Sequence, residues 1–117
     1  MIVVENAIRR LQEGDLTRIY SYRLVKDKIS IHFKGSNEEV QAYGIEVERQ
    51  DIINGEVINI QRDCVVSISP YRHKVHNLMK ILYENTVSPI HLIDIIGEEV
   101  DYSVEDFDCE LKNILAN

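Results

Sequence analysis

Cysteine, glycine and long apolar runs are all scarce in this chain, and each scarcity removes a class of protein. Of 117 residues two are cysteines, Cys64 and Cys109, far apart and outside any Cys-x-x-Cys spacing, so no disulfide framework is available. Five glycines leave little material for a phosphate cradle, and no Gly-x-Ser-x-Gly or nucleotide-binding glycine motif is present. No apolar stretch reaches the ~18 residues that cross a bilayer. The first residues, Met1-Ile-Val-Val-Glu-Asn, lack the basic region of a signal or transit peptide and carry an acid instead. These features together imply a soluble, cytoplasmic chain with no membrane role.

Basic residues are also missing, but only from one region. Between Ile81 and Leu111 there is no Lys or Arg at all. Residues 1–83 hold 12 Lys or Arg against 11 Asp or Glu, while residues 84–117 hold one Lys against nine acids, so the net charge of −7 is displayed almost entirely by the C-terminal part. Such a surface repels phosphate backbones and attracts cations or basic partners.

What is present reads as one α+β domain, 44% hydrophobic and 28% charged. Val4, Ala7, Ile8 and Leu11 follow helical spacing with Gly14 as a stop, which predicts a short helix over residues 4–13. From there the period changes to two. Tyr20, Tyr22 and Leu24 alternate with polar residues, then Ile29, Ile31 and Phe33, then Tyr43, Ile45 and Val47, each set reading as a half-buried strand. Lys26-Asp27 fits a two-residue hairpin, Gly35-Ser36-Asn37 a looser connection, and Asn54-Gly55 the strongest turn signal. Cys64 to Ile68 is either a fifth strand or the end of the fourth after a bulge at Arg62-Asp63. Residues 17–68 therefore predict an antiparallel meander of four or five strands.

One face of that sheet needs a cover, and residues 70–115 supply it. Ser69-Pro70 and Ser88-Pro89 each look like an N-cap followed by Pro at the first helical position. They open tandem helices expected at 70–84 and 89–99, the first ending at Asn85, which tolerates the left-handed conformation. The second is apolar on more than one side and asks for burial on two faces. Ser103, with Asp106 in the capping-box position, opens an acidic last helix over 104–115.

The segments Ile68-Ser-Pro-Tyr-Arg-His-Lys-Val and Val87-Ser-Pro-Ile-His-Leu-Ile-Asp-Ile-Ile, with Tyr43-Gly44-Ile45-Glu46, resemble a family of short bacterial proteins known only as a domain of unknown function. Ser-Pro-Ile-His-Leu is the sharp part of the likeness. The resemblance implies a stand-alone cytosolic bacterial protein, and it carries no assigned activity.

Four constellations bear on function. His73 and His76 have metal-ligand spacing on one helix and His91 would have to approach from the next, but zinc needs three or four such ligands and no His-Glu-x-x-His is present. Arg72, His73, Lys74 and Lys80 crowd the first tandem helix, where they either receive an anion or lie against the acidic C-terminal helix. The two helices invite a helix-turn-helix reading, yet Pro89–Glu99 offers no Lys or Arg to phosphates and no Asn or Gln to bases, which argues against direct nucleic-acid binding. The acids at Asp101, Glu105, Asp106, Asp108 and Glu110 lack the central glycine of a calcium loop. Cys64 sits in an apolar run, and exposed acids keep ordinary pKa values, so nothing here argues for catalysis.

The leading expectation is a small, non-enzymatic regulatory or adaptor protein without a cofactor. It would bind a protein partner of basic character through Asp101, Glu105, Asp106 and Asp108. The alternatives are a homodimer packed through the apolar second helix, a metal-dependent enzyme on His73, His76 and His91, and an inhibitor that imitates nucleic acid by its charge.

Overall fold

A computed structural model describes residues 1–116 and, at Phe33, the backbone alone. Four antiparallel strands follow one another as a meander in the order β1 (Ile2–Glu13), β2 (Leu16–Phe33), β3 (Ser36–Ile53) and β4 (Glu56–Ser69). Helix α1 (Arg72–Glu84), a 3₁₀ turn (Pro89–His91) and helix α2 (Leu92–Ala116) complete the α+β fold.

The strands are longer than the sequence pattern implies. β2 and β3 have 18 residues each, against the usual ~5–6, and the molecule is 58 Å long and 22 Å wide. Lys26-Asp27 is therefore no hairpin: β2 runs straight through it, with Lys26 opposite Tyr43 and Asp27 opposite Ala42. The connection to β3 is tight rather than loose, with Lys34 and Gly35 both at positive φ, 49° and 79°. Asn54 and Gly55 also take positive φ, 51° and 78°, the type I′ pattern their sequence demands.

Residues 4–13 are β1 and not a helix. Ala7 faces Tyr22 and Arg9 faces Tyr20 across β2, and a bulge at Val4 upsets the alternation. The run Cys64–Ile68 is the end of β4, whose irregularities lie opposite Gly44 and at Ile58 rather than at Arg62-Asp63.

One face of the sheet carries the core. Tyr22, Leu24, Ile45, Val47 and Ile68 are each at most 1% exposed there, against Val75 and Leu82 of α1 and Leu92 and Ile96 of α2. Each such aliphatic side chain contributes about 1.5–3 kcal/mol on burial. The other face holds a charged network in which Glu48 receives both Arg23 and Arg62, and Arg23 also reaches Glu46 at 2.6 Å.

The helix starts differ from the Ser-Pro expectation. Ser69 is still strand, and α1 begins at Arg72 behind Tyr71 with no side-chain cap, although the Ser69 hydroxyl accepts the Tyr71 N–H at 3.1 Å. Asn85 closes α1 by donating Nδ2 to the Ile81 carbonyl at 2.8 Å, while Thr86, at φ 49°, makes the left-handed step. Ser88-Pro89 opens only the 3₁₀ turn. The helices expected at 89–99 and 104–115 are one: Ser103 donates to the Glu99 carbonyl at 2.8 Å, within the continuous α2, instead of capping a new start. Nor is the first part of α2 buried on two faces, since Ile93 and Ile95 are 54% and 50% exposed.

Candidate functional site

The acids of α2 separate into two sets. Asp94, Glu98, Asp101, Glu105 and Asp108 recur every three or four residues, so they form one ridge along the helix, and all five are exposed. Asp106 points the other way. It is 9% exposed, accepts the Ser69 hydroxyl at 2.9 Å and pairs with Lys74 Nζ at 2.7 Å. The acidic helix thus does meet the basic face of α1, through this residue, and Asp106 leaves the exposed set to which its sequence position assigned it. Its carboxylate raises Lys74 above the ordinary lysine range.

Elsewhere several cations and acids pair with each other. Arg72 reaches Glu5 at 3.2 Å, Arg49 and Arg18 lie 3.1 and 3.5 Å from Asp51, and Lys80 stands 3.9 Å from Glu84. The Nε contacts of Arg49 and Arg18 with Asp51 Oδ1 lack hydrogen-bond alignment, but Arg49 Nη2 also donates to Asp51 Oδ2 at 3.2 Å. Among the described residues, Glu98, Asp101, Glu105 and Asp108 form no such pair, and Asp94 has only His91 at 3.8 Å. An excess of acid is thus presented along one helix ridge, where solvent screens it.

The histidines do not assemble. His73 and His76 border one shallow depression of about 560 Å³ beside Glu5, Tyr43 and Tyr71. His76 Nδ1 is 2.8 Å from Glu5 Oε1, and His73 stacks on Tyr71 with ring centres 6.1 Å apart. His91 lies at another depression, with Val87 and Ile95. No group of three or more metal-ligating side chains occurs among the described residues. Cys64 is half-buried; burial first, then the carboxylates of Glu46 and Asp63, push its thiol up, the reverse of what a nucleophile requires.

Sequence spacing missed one feature, a groove between α1 and α2. Lys74, Asn77, Leu78 and Ile81 form one side and Glu99, Tyr102 and Ser103 the other, around about 390 Å³. Its only advance sign was the surplus of apolar residues in the second helix.

Fold and surface together define an α+β protein built as a four-stranded antiparallel meander, with two helices and one acidic ridge. Residues 1–102 match the model of a family of unknown function, DUF6514, and the chain belongs to that family. The match takes in the four strands, α1 and α2 as far as Tyr102. No curated protein and no solved structure matches the chain.

Proposed function

We propose that this is a small, non-enzymatic regulatory or adaptor protein of the cytoplasm that acts by binding another protein through the exposed face of α2. The observation that carries this reading is the exposed ridge of Asp94, Glu98, Asp101, Glu105 and Asp108, in the part of the chain where residues 84–117 hold nine acids against one Lys. Uncompensated charge of one sign steers a partner of the opposite sign and fixes its register.

Affinity capture from nuclease-treated host lysate tests it, with the wild type compared against a variant carrying D101N, E105Q and D108N. Asp106 is left intact, because changing it would disturb folding rather than docking. The reading requires a defined basic protein that follows the wild type, is lost with the variant and elutes as salt rises. If both chains retain the same proteins, the ridge is only a solvated face and the reading fails.

A further inference from the structure

The groove between α1 and α2 is longer than its first depression. A second space, about 480 Å³, lies among Asn85, Val87, His91 and Ile95. Asn85 follows Ile81 by one turn of α1, and Ile95, Glu99 and Tyr102 succeed one another by four and three residues on α2, so the two depressions fall along one line. Three large apolar side chains stand open beside it: Ile81, Ile95 and Tyr102 are 45%, 50% and 66% exposed. A row of apolar side chains along a concavity, rimmed by charge, has the form of a groove that receives a helix.

The rim selects the occupant. On the α2 side Glu98 and Glu105 stand next to Tyr102 on the helix surface, and Glu99 lines the groove itself. No Lys or Arg occurs between Ile81 and Leu111 to offset them. On the α1 side Lys74 is held by Asp106, and Lys80 lies 3.9 Å from Glu84. A second copy is a poor fit, because its α2 carries eight acids and one lysine, and its basic helix, α1, has its apolar face in the core. Nucleic acid has the wrong sign of charge.

We infer that the groove seats a basic amphipathic helix of a partner protein. Its apolar residues, spaced i, i+3 or i+4, and i+7, lie on Ile81, Ile95 and Tyr102, and its Lys or Arg side chains face Glu98, Glu99 and Glu105. This rests on the protein-binding reading above and adds where the partner sits and what chemistry it has. Charge brings the helix in, and the apolar contacts hold it.

The test uses the full chain, isotope-labelled, and two synthetic peptides about five turns long. One is an idealised Leu/Lys amphipathic helix. The other is a scrambled peptide of the same composition, equal in charge but without an apolar face. At an ionic strength of about 0.15 M, the amphipathic peptide should bind at least about tenfold tighter. Its amide shifts should concentrate at residues 77–87 and 95–102. The double variant I81S/Y102S should lose at least about tenfold in affinity, whereas I93S, on another side of α2, should not. All three positions are exposed, and an unchanged melting curve confirms folding.

Equal affinity for both peptides would overturn the groove and leave the adaptor reading standing on charge alone. Binding of the amphipathic peptide with shifts elsewhere would overturn it as well. If neither peptide binds, the groove inference falls, and the lysate capture with the D101N/E105Q/D108N variant decides the adaptor reading separately. Light scattering that gives twice the chain mass, reverted to one by I81S/Y102S, would put a second copy in the groove and overturn the basic helix.

Discussion

Ser69, fully buried at the end of β4, donates its hydroxyl to Asp106 on α2 across 2.9 Å. The same oxygen accepts the Tyr71 N–H, so a single hydroxyl joins the last strand, the entry to α1 and the middle of α2. Replacing Asp106 by Ala strands that hydroxyl, while Lys74, 46% exposed, turns to water. The expected loss is about 1–3 kcal/mol of unfolding free energy. D106N, which can still accept from Ser69, should lose clearly less. Urea denaturation of both variants measures the difference, and equal losses would mean that the charge pair with Lys74 matters more than the buried bond.

Gly44 sits in the middle of β3 where β4 makes its two-residue detour, with Ser67 at φ 57°. A Cβ at this position would run into the Val65 carbonyl oxygen and stand 2.8 Å from Val66 Cα. Both obstacles are backbone, and backbone cannot step aside as a side-chain tip can. G44A should therefore cost about 3 kcal/mol or more. The lower melting temperature should come with loosened amide protection at Val65–Ile68. Near-wild-type stability would show that β4 can shift without loss.

How far the sequence discloses this fold depends on which residues decide each element. Asn54-Gly55 is legible because both residues must take positive φ, and few others do so cheaply. β1 is not, because Arg9 occupies an inward position: it donates to the Tyr83 carbonyl at 3.0 Å and lies 5.4 Å over that ring, where a reader expects an apolar side chain. Ser103 and Asp106 form the same local pattern whether they cap a helix or lie inside one. Ser69 and Lys74, more than 30 residues away, settle the matter by engaging Asp106 from below. The acidity of the C-terminal part is legible to the residue. Its division into an outward ridge and an inward anchor depends on which way α2 rolls on the sheet, and the groove depends on how far α2 stands from α1.

Tyr22 carries the turn between the helices. Its hydroxyl, wholly buried on β2, donates to the Val87 carbonyl at 2.9 Å. Y22F should cost about 1–2 kcal/mol, since the carbonyl is left without its donor. Faster hydrogen exchange at Val87 and His91 would be the local sign. Burial, and next the neighbouring Tyr20, raise the Tyr22 pKa well above its ordinary 10.0. A group that holds its proton more tightly when folded stabilises the fold fully below its unfolded pKa and loses that contribution as pH climbs beyond it. The wild type should thus weaken above pH about 10, and Y22F should weaken less steeply over the same interval. Parallel alkaline profiles would remove Tyr22 as the cause.

Glu48 governs the acid side. Burial at 4% exposure would by itself raise its carboxyl, but hydrogen bonds from Arg62 and Arg23 outweigh that and hold it below the usual glutamate value of 4.5. Arg62 Nε donates at 2.8 Å and Arg23 Nη2 at 3.2 Å, so the carboxylate is gripped at both oxygens. A carboxyl whose folded pKa is depressed contributes its stability above the unfolded value and surrenders it as pH falls through the folded one. E48Q should be less stable than the wild type at neutral pH, because it leaves two guanidinium groups facing an amide. The gap should close as the pH drops below about 4, where the wild-type Glu48 takes up its proton and the two chains converge in charge. Urea midpoints read at neutral and at acid pH decide this. A gap that stays constant through the acid range would assign the loss to packing at the open face of the sheet rather than to the Arg23–Glu48–Arg62 charges.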